Sequence, residues 1–174
     1  MGLLRATILA MRELLDQIRR ASAAGLYYLA LIGALALPDI CGALSSDDGW
    51  ATPSTYKDWL RNNVPEQAAN AAATYGLRCS LLHQGRARPH GVSFPIACCY
   101  PSPSGFEIHN LSTVVGGSEV GWLSIPTFVD EVTRGAERWF DQFGETKAVA
   151  RNLEKFMHFR PDGLRGHYDG PVIA

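Results

Sequence analysis

The sequence predicts a mainly α-helical protein: an antiparallel helical bundle with a small antiparallel β-meander inserted before a late helix. Three observations predict it. Apolar residues recur at three- and four-residue spacing through most of the first 85 residues and again after Pro126, which is the mark of helices with one buried face. Between about residues 92 and 125 that period gives way to β-rich runs separated by Pro-Ser-Pro-Ser-Gly and Gly-Gly-Ser-Glu. The connections are short, and short connections favour antiparallel neighbours.

Each element has its own signals. Over residues 3–20, Leu4, Ile8, Met11, Leu15 and Ile18 form one stripe, with Arg5, Arg12, Asp16 and Arg19 elsewhere on the surface. Ser22 is placed to cap a second helix running from about Ala23 towards Leu44, with a kink near Leu37 imposed by Pro38. Thr52-Pro53 is an N-cap followed by proline in the first helical position. The short helix it opens carries Tyr56, Trp59, Leu60 and Val64. Pro65 opens an alanine-rich helix from Glu66 to about His83, with Ala68, Ala72, Tyr75, Cys79 and Leu82 as its inward stripe. Gly85 is positioned to end it in a left-handed cap.

The expected strands are Val92–Tyr100, Phe106–Val115 and Val120–Ile125, with a turn at Gly116-Gly117. Alone they would be marginal, so they should pack on the helices. After Pro126, Val129, Val132, Ala136, Trp139 and Phe143 share a helical face, and residues 145–159 offer a last helix through Val149, Leu153 and Phe156. The chain reads as a single domain over 1–174, with the β insertion at about 92–125 and an irregular tail at about 160–174.

Composition bounds the function. With 174 residues, 47% apolar and a formal net charge of −1, the chain fits one globular core. It is not a generally basic polyanion binder, so an RNA-binding surface would have to be local. The four cysteines, Cys41, Cys79, Cys98 and Cys99, match no zinc spacing. Cys41 and Cys79 fall in apolar helical stretches and read as buried, reduced thiols, hence a cytoplasmic protein. The most apolar stretch, Ala23 to Leu37, is short of the roughly 18–20 residues a bilayer requires. It reads as a helix buried by protein, with no membrane as partner.

The stretch Tyr75-Gly76-Leu77-Arg78-Cys79-Ser80-Leu81-Leu82-His83-Gln84-Gly85 holds the candidate chemistry. Cleaving RNA without a metal needs a group that moves protons near neutral pH, and histidine suits that task. It also needs a fixed cation on the phosphate, which arginine's planar fork supplies. Arg78 and His83 are the candidate pair. The nucleophile would be the substrate's own 2′-hydroxyl. Positions five apart differ by about 140° around a helix, so the pair meets if the helix end bends, or if two copies each lend one residue. Asp39, a carboxylate in an apolar helix, either orients Arg78 or His83, or caps the helix resuming after Pro38 or is simply exposed. Arg86 and Arg88, just beyond, can contact RNA. His90, His109, His158 and His167 lack metal-ligand spacing, so neither a metal nor a cofactor is expected.

The Arg-x4-His arrangement on a bundle helix resembles the HEPN superfamily, marked by R-x4-6-H. The resemblance covers residues 3–85 and 126–143 as architecture. It implies a metal-independent endoribonuclease acting on an RNA substrate, with Arg78 and His83 catalytic and Cys79 and Asp39 in support. It also implies a homodimer with both motifs near the two-fold axis, and the setting of a toxin or defence effector with an antitoxin or defence-system partner protein. The alternative within the same family is a non-catalytic module that binds a nucleotide or a protein. Cys79 departs from the Asn, Asp or His often found after the arginine. Gly85 stands where some toxins carry a modifiable tyrosine.

Overall fold

The structure is a computed structural model that describes residues 2–89, 93–157 and 159–174, with side chains from residue 10 onward. His90, Val92 and His158 lie outside the described residues, as do the side chains of Leu4 and Ile8.

Six α-helices dominate the described residues: α1 (Gly2–Ala23), α2 (Tyr27–Ser45), α3 (Pro53–Asn63), α4 (Ala71–Gln84), α5 (Ile125–Phe143) and α6 (Lys147–Leu153). The mainly helical expectation is thus met. α2 is the hub, packing against α1, α3, α4, α5 and α6. It is apolar almost all round because it has neighbours almost all round. At 19 residues it is longer than its most apolar stretch suggests, and by length and composition alone it could cross a membrane. Within this fold half of it is buried, with Leu31, Leu35, Leu37 and Cys41 in the core.

Boundaries differ where local signals compete. Ser22 does not cap α2; α1 runs on to Ala23 and Leu26 precedes α2. α2 continues through Pro38, although proline has no N–H to offer the Ala34 carbonyl. The α3 start is as expected. The Thr52 hydroxyl accepts from the Thr55 N–H at 3.2 Å, and the Thr55 hydroxyl accepts from the Thr52 N–H at 2.7 Å. This is a reciprocal capping box with Pro53 in the first turn. The helix expected from Glu66 is divided: Pro65–Gln67 forms a single 3₁₀ turn, and α4 begins at Ala71.

The meander expectation is corrected. The sheet is mixed, with strand order β1-β3-β2 for β1 (Ile96–Cys99), β2 (Leu111–Val115) and β3 (Ser118–Ser124). β3 runs parallel to β1, with Ile96 opposite Gly121, and antiparallel to β2, with Leu111 opposite Trp122. β2 and β3 form the hairpin expected at Gly116-Gly117, both at positive φ (58° and 80°). Burial decides the order. β3 becomes buried towards its end and takes the centre, whereas β2 is exposed along its whole length and takes an edge. The expected strand from Phe106 shortens to Leu111 because Asn110 sits at φ 52°, incompatible with extended chain.

β3 leads directly into α5, whose buried face carries Phe128, Val129, Val132, Ala136 and Trp139; Phe143 is partly exposed rather than on that face. Gly135 lets α5 approach the end of α3, since a Cβ there would stand 2.8 Å from the Asn63 carbonyl oxygen. α6 is shorter than expected but has a clear role. The Asn152 amide donates to the carbonyls of Leu44 (3.0 Å) and Ser46 (2.8 Å), and Arg151 donates to that of Asp47 (2.7 Å). These carbonyls at the end of α2 would otherwise lack intrahelical donors. The tail is largely irregular, pinned by a two-residue ribbon of β4 (Phe159–Arg160) and β5 (Val172–Ile173).

Candidate functional site

α4 carries the site, and its phase decides what the site is. The buried residues are Ala71, Thr74, Gly76, Leu77, Ser80 and Leu81. The expected inward stripe is therefore wrong by about one residue, or about 100°. Ala72 is exposed, and Tyr75, Cys79 and Leu82 are only half-buried. Cys79 is accordingly not a core thiol; Cys41 is. The larger side chains of Leu77 and Leu81 take the inner face, and Tyr75, Arg78 and Cys79 come to a rim beside α2 and α3.

Arg78 and His83 meet within one helix. Arg78 Nη1 lies 3.4 Å from His83 Nε2, with α4 continuous to Gln84. Neither a bent helix end nor a second subunit is required: the length of the arginine side chain spans the angular gap. Arginine can only donate, so His83 accepts at Nε2 in this contact, and the proton of the neutral ring sits on Nδ1. The end of the helix is as expected. Gly85 is left-handed (φ 64°), its N–H donates to the Leu81 carbonyl at 2.9 Å, and the Arg86 N–H reaches back to Ser80 at 3.1 Å.

Asp39 resolves to the orienting position beside Arg78. It lies inside α2, so it caps nothing, and its Oδ2 accepts from Arg78 Nε at 2.6 Å. The two side chains are 22% and 21% exposed, so the contact is neither a surface pair nor a dry one. Burial pushes the Asp39 carboxyl above its usual range, against the opposing pull of Arg78. Burial is the largest influence on Arg78 and works against its charge, but the attraction of Asp39 together with the contacts to Cys79 and Asp39 holds the guanidinium above its ordinary value. The two directions conflict on whether the pair favours charge. The short contact decides for an ion pair at neutral pH: Arg78 stays protonated, and its Nε donates to Asp39 Oδ2 at 2.6 Å.

Two further residues join this rim. Tyr75 lies edge-on to Tyr56, with ring centres 5.2 Å apart, and the Lys57 ammonium stands 5.9 Å from the Tyr75 ring centre. A hydrogen bond with Cys79 raises the Tyr75 phenol above its usual value. Cys79 Sγ is 3.9 Å from Arg78 Nη1, a weak contact in which sulfur stands where a stronger acceptor could. The sequence signal for Tyr75 is its spacing, one turn before Arg78 and Cys79. Lys57 has no such signal, because it arrives from α3. Arg86 and Arg88 are exposed in the turn beyond the helix, and neither side chain forms an ion pair among the described residues.

A second polar cluster lies elsewhere. His109 Nδ1 accepts from the Ser124 N–H at 3.1 Å, which places the proton of the neutral ring on Nε2, facing Glu131 Oε2 at 3.2 Å. Gln67 Nε2 donates to the same carboxylate at 2.7 Å and to Asn110 Oδ1 at 3.1 Å. With both ring nitrogens engaged, His109 fastens the sheet to α5 and the 3₁₀ turn. Among the described residues no three His, Cys, Asp or Glu side chains converge in a way that could hold a metal ion.

Comparison with known protein families, curated proteins and solved structures finds no match to this chain.

Proposed function

We propose that this chain is a metal-independent endoribonuclease of the HEPN kind, with a single-stranded or structured RNA as substrate. One observation carries the reading: an arginine fixed at Nε by a carboxylate, with its outer nitrogen 3.4 Å from an exposed histidine nitrogen. Asp39 holds the guanidinium in place and leaves the outer N–H groups for phosphate oxygens. A phosphate entering between Arg78 and His83 would bring the 2′-hydroxyl of the adjacent ribose to Nε2. His83 takes the 2′-hydroxyl proton as O2′ bonds to phosphorus, Arg78 offsets the charge on the equatorial oxygens, and the P–O5′ bond breaks. The departing O5′ takes a proton from solvent water, whose hydroxide the protonated His83 then neutralises, and the products end in a 2′,3′-cyclic phosphate and a 5′-hydroxyl. Arg86 and Arg88 would contact flanking phosphates.

The reading includes a homodimer and the context of a toxin or defence effector with an antitoxin or defence-system partner. Leu26, Tyr28 and Leu29 at the start of α2 are 53%, 52% and 59% exposed, an apolar surface suited to a second copy. A second reading, a non-catalytic HEPN-like module binding a nucleotide or a protein, is favoured by Cys79: its contact with Arg78 is a weak one.

The test compares wild type with Arg78→Ala and His83→Ala on single-stranded and transfer RNAs in the presence of a chelator, with circular dichroism confirming the fold. The expected result is cleavage by wild type, unaffected by chelation, and a loss of about 10²-fold or more in each variant. Equal cleavage by all three defeats the catalytic assignment, and an inert wild type favours the binding module.

A further inference from the structure

Between α4 and the mixed sheet lies a cavity of about 240 Å³ that the Arg78–His83 site does not use. It opens on the face of α4 that bears Asn70, Thr74 and Leu77, and its far wall is the sheet. We infer that this cavity binds a neutral planar heterocycle of nucleobase size, held against the Phe94 ring and read at its edge by amide and hydroxyl groups. The inference does not rest on the nuclease reading.

Size and charge come first. The volume is below the roughly 300–1,000 Å³ of sites for drug-sized ligands, so a ligand of one or two rings is indicated. Among the described residues no charged side chain lines the cavity. A phosphate or carboxylate entering it would lose hydration without a counter-charge, so the ligand is neutral.

The lining then narrows the chemistry. Phe94, whose ring lies over Gly121, contributes aromatic surface for a flat ring. Asn110 is set in advance: its backbone is left-handed, its Oδ1 accepts from Gln67, and its Nδ2 donates to the Glu66 carbonyl at 3.0 Å. Gln67 is wholly buried, and its Oε1 has no partner. Turning the amide over does not help, because Oε1 would then face the Glu131 carboxylate oxygen that Nε2 now meets at 2.7 Å. Thr74, 3% exposed, also lines the cavity. The wall thus holds one buried oxygen without a partner, Gln67 Oε1, beside the Thr74 hydroxyl. A purely aliphatic ligand would leave that oxygen unsatisfied. A nucleobase has a flat face for the Phe94 ring and an edge with both donors and acceptors.

The experiment is ligand-observed saturation-transfer NMR and titration calorimetry on the full chain. The probes are adenine, cytosine and uracil, with benzoate and cyclohexanol as controls. At least one base is expected to bind with a Kd of about 1 mM or tighter, as a small ligand making few hydrogen bonds should. Thr74→Val keeps the shape and removes the hydroxyl, and should weaken that binding about tenfold. Ala73→Leu fills the cavity and should abolish it, which keeps the test open if the valine variant does not fold. Arg78→Ala should bind as wild type, separating this site from the proposed nuclease site. No binding of any base at millimolar concentration overturns the inference. So does unchanged binding by folded Thr74→Val or Ala73→Leu, or binding of benzoate or cyclohexanol as tight as that of the bases.

Discussion

Replacing the members of the Asp39–Arg78 pair one at a time should give unequal costs, and the inequality can be worked from the geometry. With Arg78 Nε 2.6 Å from Asp39 Oδ2, the charge centres are about 4 Å apart. Their attraction is then about 4 kcal/mol at an effective dielectric of 20 and about 1 kcal/mol in water. With each side chain about a fifth exposed, solvent at the rim discounts the larger figure, giving a coupling of about 1–2 kcal/mol. Burial opposes the pair, and on Asp39 it prevails: the carboxyl titrates above its ordinary 3.8 even with Arg78 beside it. A folded pKa above the unfolded one means that protonation favours the fold. That contribution is full below the unfolded pKa and is lost as pH rises through the folded pKa.

Asp39→Asn, which mimics the protonated acid, should therefore change neutral-pH stability by less than about 1 kcal/mol. Arg78→Met leaves a part-buried carboxylate unpaired and should cost about 2–3 kcal/mol. The double variant should cost about 1 kcal/mol more than Asp39→Asn, because the coupling offsets about 1–2 of the roughly 2–3 kcal/mol that Arg78→Met costs alone. Urea unfolding at pH 7, followed by circular dichroism and analysed as a double-mutant cycle, measures the coupling. A coupling below about 0.5 kcal/mol, or an Asp39→Asn cost equal to that of Arg78→Met, would refute the reasoning.

Three other outcomes follow from particular contacts. Gly135→Ala gains about 1 kcal/mol of helix propensity, but its Cβ would stand 2.7 Å from Val64 Cγ2 and 2.8 Å from the Asn63 carbonyl oxygen. The clash with backbone should prevail, for a net loss of about 1–3 kcal/mol in thermal or urea unfolding. Glu137 accepts from Arg19 at 2.6 Å, and that hydrogen bond holds its carboxyl below the usual 4.5. Its stabilisation is present above the unfolded pKa and is lost as pH falls through the folded one. With Glu137 about half exposed, Glu137→Gln should cost under about 1 kcal/mol at pH 7, and the difference from wild type should vanish in an acid series. Asn152→Ala removes the donor shared by the Leu44 and Ser46 carbonyls. It should cost about 2 kcal/mol, with faster amide exchange at the end of α2.

Much of the site was legible in order but not in arrangement. Arg78, His83 and the cap at Gly85 stand close in sequence, and the chemistry of imidazole and guanidinium singles them out. Asp39 is conspicuous as a carboxylate in an apolar run, but its partner lies 39 residues away, and periodicity carries no information about which helix faces which. The stripe on α4 shows the same limit. The period was readable, but Ala68 and Ala72 are too small to fix which side turns inward, and Leu77 and Leu81 fixed it once α2 and α3 were in place. Glu131, Gln67 and Asn110 gave no local warning, because they come from three separate elements and become a cluster only on folding.

By itself the sequence determined the helical class, the Thr52-Pro53 start, the Gly116-Gly117 hairpin and the left-handed end of α4. Each of these is settled by steric preference and hydrogen bonding within a few residues. Only the tertiary structure decided the phase of α4, the central place of β3 and the joining of Asp39 to Arg78. Those depend on which apolar surfaces cover one another, and that burial is shared among segments far apart in the chain.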